Sequence, residues 1–147
     1  MQSDGAIVRR YLERVWGAGD VASLGELTAE RMSVWTPALR PRAGGLLAGR
    51  VASLPGEATP RELDRAALAA VVTAWHETFS TLQVVVEDLI AEGGRVAARV
   101  AWQGEHMETR GIAAQRVEQR WPSFEFFRLE AGRIVEIWSS VAMYEWP

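Results

Sequence analysis

Phe124-Glu125-Phe126-Phe127-Arg128-Leu129-Glu130-Ala131-Gly132-Arg133-Ile134-Val135-Glu136-Ile137-Trp138 sets the architecture of this chain. Two apolar, β-prone runs, Phe124 to Leu129 and Ile134 to Val141, flank Glu130-Ala131-Gly132, which reads as a hairpin. A three-residue loop with Gly132 left-handed and a bulge is expected, because Ala131 suits the first position of a tighter turn poorly. That pairs Leu129 with Arg133, sets Glu125 opposite Ile137 and puts Ser139 on the face of Glu125. A two-residue loop would instead set Trp138 opposite Glu125 and turn Ser139 outward. Upstream, Val96, Ala98, Val100 and Trp102 alternate with Ala97, Arg99, Ala101 and Gln103, the pattern of a strand with one buried face. Glu92-Gly93-Gly94-Arg95 is a turn joining it to a strand over Leu82 to Ile90. Residues 104 to 115, around Gly104 and Gly111, are expected to be irregular. The C-terminal half is thus a four-strand antiparallel meander.

The N-terminal half has helical period. Ile7, Val8, Tyr11, Leu12, Val15 and Trp16 form one face of a helix over residues 4 to 17, with Arg9, Arg10, Glu13 and Arg14 on the other. Asp20 caps a short second helix carrying Val21, Leu24 and Leu27. Met32 to Thr36 is a short strand closed by Pro37. Residues 37 to 58, rich in Pro, Gly and Arg, are a long loop of the kind that often carries function. Thr59-Pro60-Arg61-Glu62 is a capping box with Pro at the first helical position, predicting a third helix to about Phe79. With no repeat or linker, residues 1 to 147 make a single α+β domain, a curved antiparallel sheet with helices on one face.

Composition narrows the function classes. The chain has 147 residues, 48% hydrophobic and 24% charged, which suits one globular domain and excludes general disorder. No Cys excludes disulfides, thiolate metal sites and a cysteine nucleophile. No Lys excludes Schiff-base chemistry and a P-loop. The net charge of −3 and scattered Arg residues point away from nucleic acid. No apolar run approaches the roughly 20 residues of a membrane span, and Met1-Gln2-Ser3-Asp4 lacks the form of a signal peptide, so a cytoplasmic protein is expected. Two His without clustered carboxylates predict no metal. Seven Trp suit an aromatic-lined pocket or an interface.

Three segments carry a family resemblance: Ile7-Val8-Arg9-Arg10-Tyr11-Leu12-Glu13-Arg14-Val15-Trp16-Gly17-Ala18-Gly19-Asp20, then Gly104-Glu105-His106, then the Phe124 to Trp138 stretch. With the order of elements, the chain resembles the SnoaL-like polyketide cyclases within the NTF2-like cone fold, which ketosteroid isomerases and limonene epoxide hydrolases share. The resemblance implies a cone in which three N-terminal helices and the curved sheet enclose a cavity. It also implies cofactor-independent chemistry on a small hydrophobic substrate, and a homodimer. The departures are specific. Ser139 stands where SnoaL-like cyclases carry a catalytic Asp, and Thr36 where ketosteroid isomerases carry their base. The Asp-Arg-Asp set of the epoxide hydrolases is not recognisable.

Glu125 alternates with Phe127 and Leu129, so it lies on the face those two bury. The resemblance places it where ketosteroid isomerases hold a protonated Asp and SnoaL-like cyclases an acid-base His. A carboxyl in an apolar cavity has a raised pKa and can donate as the neutral acid, or exchange a proton near pH 7. The alternatives are a Glu at the sheet mouth, or one neutralised by Arg. His106 follows Val100, Trp102 and Gly104 at spacing two, and is either a proton shuttle paired with Glu125 or a strand-end residue. His76, on the long helix, is expected to face solvent. Tyr11, Thr36 and Ser139 are candidates to orient substrate polar atoms, with a core tyrosine the favoured alternative for Tyr11. Trp75, Trp102 and Phe127 are candidate cavity walls or ordinary packing. Trp138 and Glu136 project from the opposite face, expected to form the dimer contact. The function expected is cyclisation or isomerisation of a polyketide- or terpenoid-like intermediate by general acid-base catalysis. A non-catalytic binding protein or an association module is the alternative.

Overall fold

In a computed structural model, residues 2–36, 60–141 and 144 are described. The loop expected over 37–58, and Thr59 of the capping box, lie outside them. Helix α1 (Asp4–Arg10) starts where Ser3 accepts the Ala6 N–H. It continues as a π-helical turn, Tyr11–Gly17, which α-helical periodicity cannot reveal. A 3₁₀ turn (Val21–Ser23) and α2 (Leu24–Leu27) follow, then β1 (Thr28–Trp35), β2 (Arg61–Asp64) and α3 (Arg65–Thr78). The meander is β3 (Gln83–Glu92), β4 (Arg95–Arg110), β5 (Ala113–Glu130) and β6 (Arg133–Ser139). Among the described residues no helix is long and apolar enough to cross a membrane.

The six strands form one sheet in the order β2-β1-β6-β5-β4-β3. The architecture is the expected α+β one, three helical segments on a curved sheet, but the sheet is mixed: β1 runs parallel to β6. The helices cover one face, where Val8, Leu12, Val15, Trp16, Leu68 and Val72 meet Val96, Val100, Phe127, Ile134 and Ile137 in a continuous core. Burying these side chains, at about 1.5–3 kcal/mol each, drives the fold.

Three local expectations are corrected. The capping box does not open α3. Arg61 to Asp64 instead pair antiparallel with the β1 edge, Leu63 opposite Met32, and Glu62 accepts a hydrogen bond from Ser33 at 2.6 Å. Asp64 then caps the helix, accepting from the Ala67 N–H at 2.7 Å. Asp64 offers a second cap further along, and burying Leu63 on a neighbouring strand outweighs the local box. Residues 104 to 115 are not irregular: β4 and β5 pair continuously from Arg95↔Arg128 to Arg110↔Ala113, turning at Gly111. β3 stops pairing at Gln103, so the pairs beyond it form a two-stranded ribbon past the sheet.

The third correction is the Glu130–Arg133 turn. It has two residues, Ala131 and Gly132, both with positive φ (49° and 71°). The irregularity lies inside the ladder, between Arg128 and Leu129, where Val135 is skipped. Glu125 therefore faces Ser139, not Ile137. The shared face survives because the bulge supplies the one-residue offset expected of the loop.

Candidate functional site

The sheet lines up a polar row on its helix-covered face. Ser139 pairs with Glu125 across β6 and β5, and Trp35 pairs with Trp138, which brings Thr36 to the level of Ser139. All three are buried. Ser139 donates its hydroxyl to Glu125 Oε1 at 3.0 Å, while Oε2 has no hydrogen-bond partner among the described residues. Glu125 is 2% exposed, and burial pushes its pKa up to about 8 against the smaller opposing pull of the Ser123 and Ser139 hydroxyls. At pH 7 this upward shift favours the protonated carboxyl. Glu125 is thus a neutral acid with an uncommitted oxygen.

Two buried phenols lie close enough to feel its charge. Tyr11 and Tyr144 hydroxyls are 2.9 Å apart, and the Trp16 indole N–H donates to Tyr11 at 3.0 Å. The π-helical register makes that last bond possible, since it brings residues five apart onto one side. Phe127 meets the Tyr11 ring edge-on at 5.7 Å, and Trp16 meets Tyr144 likewise at 5.2 Å. Arg61 donates to the Tyr144 carbonyl at 3.1 Å. Burial raises both phenol pKa values, and the nearby Glu125 raises them further. Two phenols share one bond between them, leaving one phenolic proton not used in that bond.

An aromatic wall leads away from this floor. Trp102 donates its N–H to Ser123 at 2.7 Å, meets Trp16 edge-on and lies parallel to Trp121 at 6.1 Å. Trp121 contacts Trp75 and Phe79, which stack on each other at 5.3 Å. Gly104 is required here: a Cβ at that position would lie 2.5 Å from the Phe79 ring. His106 lies against Phe79 at the outer end.

The structure therefore unites Glu125, Ser139, Thr36, Tyr11 and Phe127, with Trp102 next along, and sets Trp75 further out. It does not bring His106 to Glu125. Ala98 is the β4 partner of Glu125, and His106 is eight residues further on, roughly 27 Å of extended strand. His76 is also corrected: it is half-buried, with Nε2 2.6 Å from the Trp16 carbonyl, tying α3 to the π turn. Sequence reasoning missed Ser123, Trp16, Trp121 and Tyr144. Ser123 and Trp121 were within reach, since they continue the Glu125-Phe127-Leu129 alternation.

The opposite face is apolar and open. Val85, Ile90, Phe124, Phe126 and Trp138 are all exposed, and Trp138 stacks on Trp35 at 4.4 Å while donating to Glu136. A hollow of about 530 Å³ lies there between Ile90, Arg99, Phe124, Phe126 and Trp138. Glu125 and Ser139 also line it, from the strands that form its wall. Among the described residues no three His, Cys, Asp or Glu gather to hold a metal ion.

Residues 52–145 match the family model described as SnoaL-like polyketide cyclase. A comparison with curated proteins gives no match. Among solved structures, the chain is similar to IdmH, described as a candidate polyketide cyclase from Streptomyces antibioticus, at 24% identity and TM-score 0.70, over 94% of this chain and 91% of that one. A SnoaL-like polyketide cyclase from Agrobacterium tumefaciens matches at 15% identity and TM-score 0.63, over 95% and 91%. AclR, a candidate hydroxylase from Streptomyces galilaeus, matches at 19% and 0.62, over 95% and 75%. These likenesses show the fold.

Proposed function

The chain belongs to the SnoaL-like polyketide cyclase family, and from that premise we propose that it is a cofactor-independent cyclase or isomerase of an apolar polyketide- or terpenoid-like intermediate. The observation that carries the reading is the Glu125 carboxyl, buried and mostly neutral, with Ser139 on one oxygen and nothing on the other. Oε2–H is the proton donor, delivered to a carbonyl or epoxide oxygen of the substrate, and the Tyr11–Tyr144 pair supports the developing polar centre. Ser139 holds the carboxyl in orientation, and Thr36 continues the polar row. Trp75, Trp121, Phe79 and His106 contact the outer part of the substrate, so His106 acts on the substrate and not on Glu125. Protonation by a neutral acid suits a site with Ser139 and Thr36 where relatives carry anionic bases.

Glu125→Gln keeps the shape and removes the titrating group. Turnover should fall by roughly 10²–10⁴ with KM changed much less, and His106→Ala should cost less. Wild-type turnover by Glu125→Gln would refute the reading. The non-catalytic alternative, favoured by the tight closure around Glu125, predicts saturable quenching of Trp fluorescence by apolar ligands without product.

The same proposal includes a homodimer through the outer sheet face, supported by the exposed Phe124, Phe126, Trp138, Ile90 and Val85. Sedimentation at micromolar concentration should give about twice the monomer mass, and Phe126→Asp should return it to the monomer. A wild-type monomer would remove this part.

A further inference from the structure

Ser123 sits two residues before Glu125 on β5, on the same buried face, opposite Val100. It is fully buried, and its oxygen accepts the Trp102 N–H at 2.7 Å. Its single proton is not spent in that bond, because the indole can only donate. A buried hydroxyl proton without an acceptor is unfavourable. So is a buried carboxylate oxygen without a donor, which Glu125 Oε2, unpartnered in the structure, becomes when it ionises. The two unspent groups lie at adjacent positions of one face.

We infer that Ser123 is a positioning residue for Glu125. With its oxygen held by Trp102, its hydroxyl turns its proton to Oε2 of the ionised carboxylate, while Ser139 holds Oε1. The indole fixes the hydroxyl, and the two serines fix the carboxylate from two strands. When Glu125 takes up a proton on Oε2, Ser123 loses that acceptor, and Oε2–H is released to point at substrate. Trp102 acts on the carboxyl only through Ser123, and links it to the aromatic wall. The titratable groups facing Glu125 from the packed elements are Tyr11, from the π turn after α1, and Tyr144, from the C-terminal segment. Burial holds both as neutral phenols, so neither titrates in competition. The Ser123 pull on the Glu125 proton has the matching direction. This inference rests on the proposed role of Glu125 and deepens it.

The test is the titration of Glu125, followed by carboxyl ¹³C NMR on Glu-labelled protein, its signal identified by its loss in Glu125→Gln. Ser123→Ala removes a donor to the ionised form, so the midpoint should rise by about one unit, a tenfold change in the protonation ratio. Ser123→Thr keeps the hydroxyl and should restore the wild-type midpoint to within a few tenths. Trp102→Phe keeps the ring and should raise the midpoint by less, and add nothing in the Ser123→Ala background. A folded Ser123→Ala protein with an unmoved midpoint would overturn the inference. If that variant does not fold, Trp102→Phe carries the test alone, an upward shift supporting it and an unmoved midpoint overturning it. Failure of the underlying reading looks different: wild-type Glu125 would titrate in the ordinary carboxylate range, or Glu125→Gln would remain fully active.

Discussion

Replacing Glu125 by Gln should stabilise the protein above neutral pH and leave it almost unchanged in mild acid. The folded carboxyl titrates at about 8 against 4.5 for a free Glu, so the folded state binds more protons than the unfolded one between those values. A group raised in this way contributes stability fully below the unfolded pKa, and that contribution is lost as pH rises through the folded one. Integrating over the window from about pH 5 to about pH 8.5 gives a loss of about 4 kcal/mol assignable to Glu125. The full burial of the side chain makes solvent screening a small correction. Gln has the same shape and no charge, so its curve lacks this fall. The assay is urea unfolding of both proteins at several pH values across the window, reading the difference in unfolding free energy. His76 and His106 are common to both proteins and cancel in that difference. The difference should grow with pH, with the Glu125→Gln variant the more stable by several kcal/mol at the alkaline end. Parallel curves would mean that Glu125 does not titrate there, and the neutral-acid reading would fall with it.

Other substitutions probe the surroundings of that carboxyl. Tyr11→Phe removes the acceptor of the Trp16 N–H and the partner of Tyr144, so urea unfolding should show a loss of about 1–3 kcal/mol; a change within a few tenths would deny the network. Gly104→Ala drives a methyl into Phe79, whose own Cβ would be only 3.0 Å away and whose ring is stacked on Trp75. Thermal unfolding should register about 1–3 kcal/mol of destabilisation, and an unchanged midpoint would show that the ring has room to move.

What sequence could disclose here depended on how local the cause was. Alternation along Val96 to Trp102 and along Glu125 to Leu129 reports a sheet with one buried face, and the structure buries those residues. Gly93-Gly94 marks its own turn, with positive φ at both positions. Glu125 could be singled out because a carboxylate among apolar alternate residues has few explanations. The rest required partners from far along the chain. Arg61 to Asp64 is extended because the β1 edge offers hydrogen bonds, which no local capping rule registers. The ribbon beyond Gln103 pairs two polar strands whose alternation is weak. The π turn has no distinct period over seven residues. Tyr144 lies in a short tail with no pattern, and only the fold brings it 133 positions back to Tyr11.

The ribbon past Gln103 divides the molecule into two regimes of cohesion. Below Trp102 and Trp121 each residue pair is backed by helices, and separating the strands means breaking the core. From Met107↔Arg116 outward the strands are held mainly by ladder hydrogen bonds, with little burial on either face, and a two-stranded ribbon alone is barely stable in water. Fraying there is a local event whose free energy is a small fraction of global unfolding. His106 stands at the root of that ribbon, just where it meets the aromatic wall. The outer end of the cone can therefore breathe, or differ in length among related chains, while the carboxyl at its floor keeps its orientation.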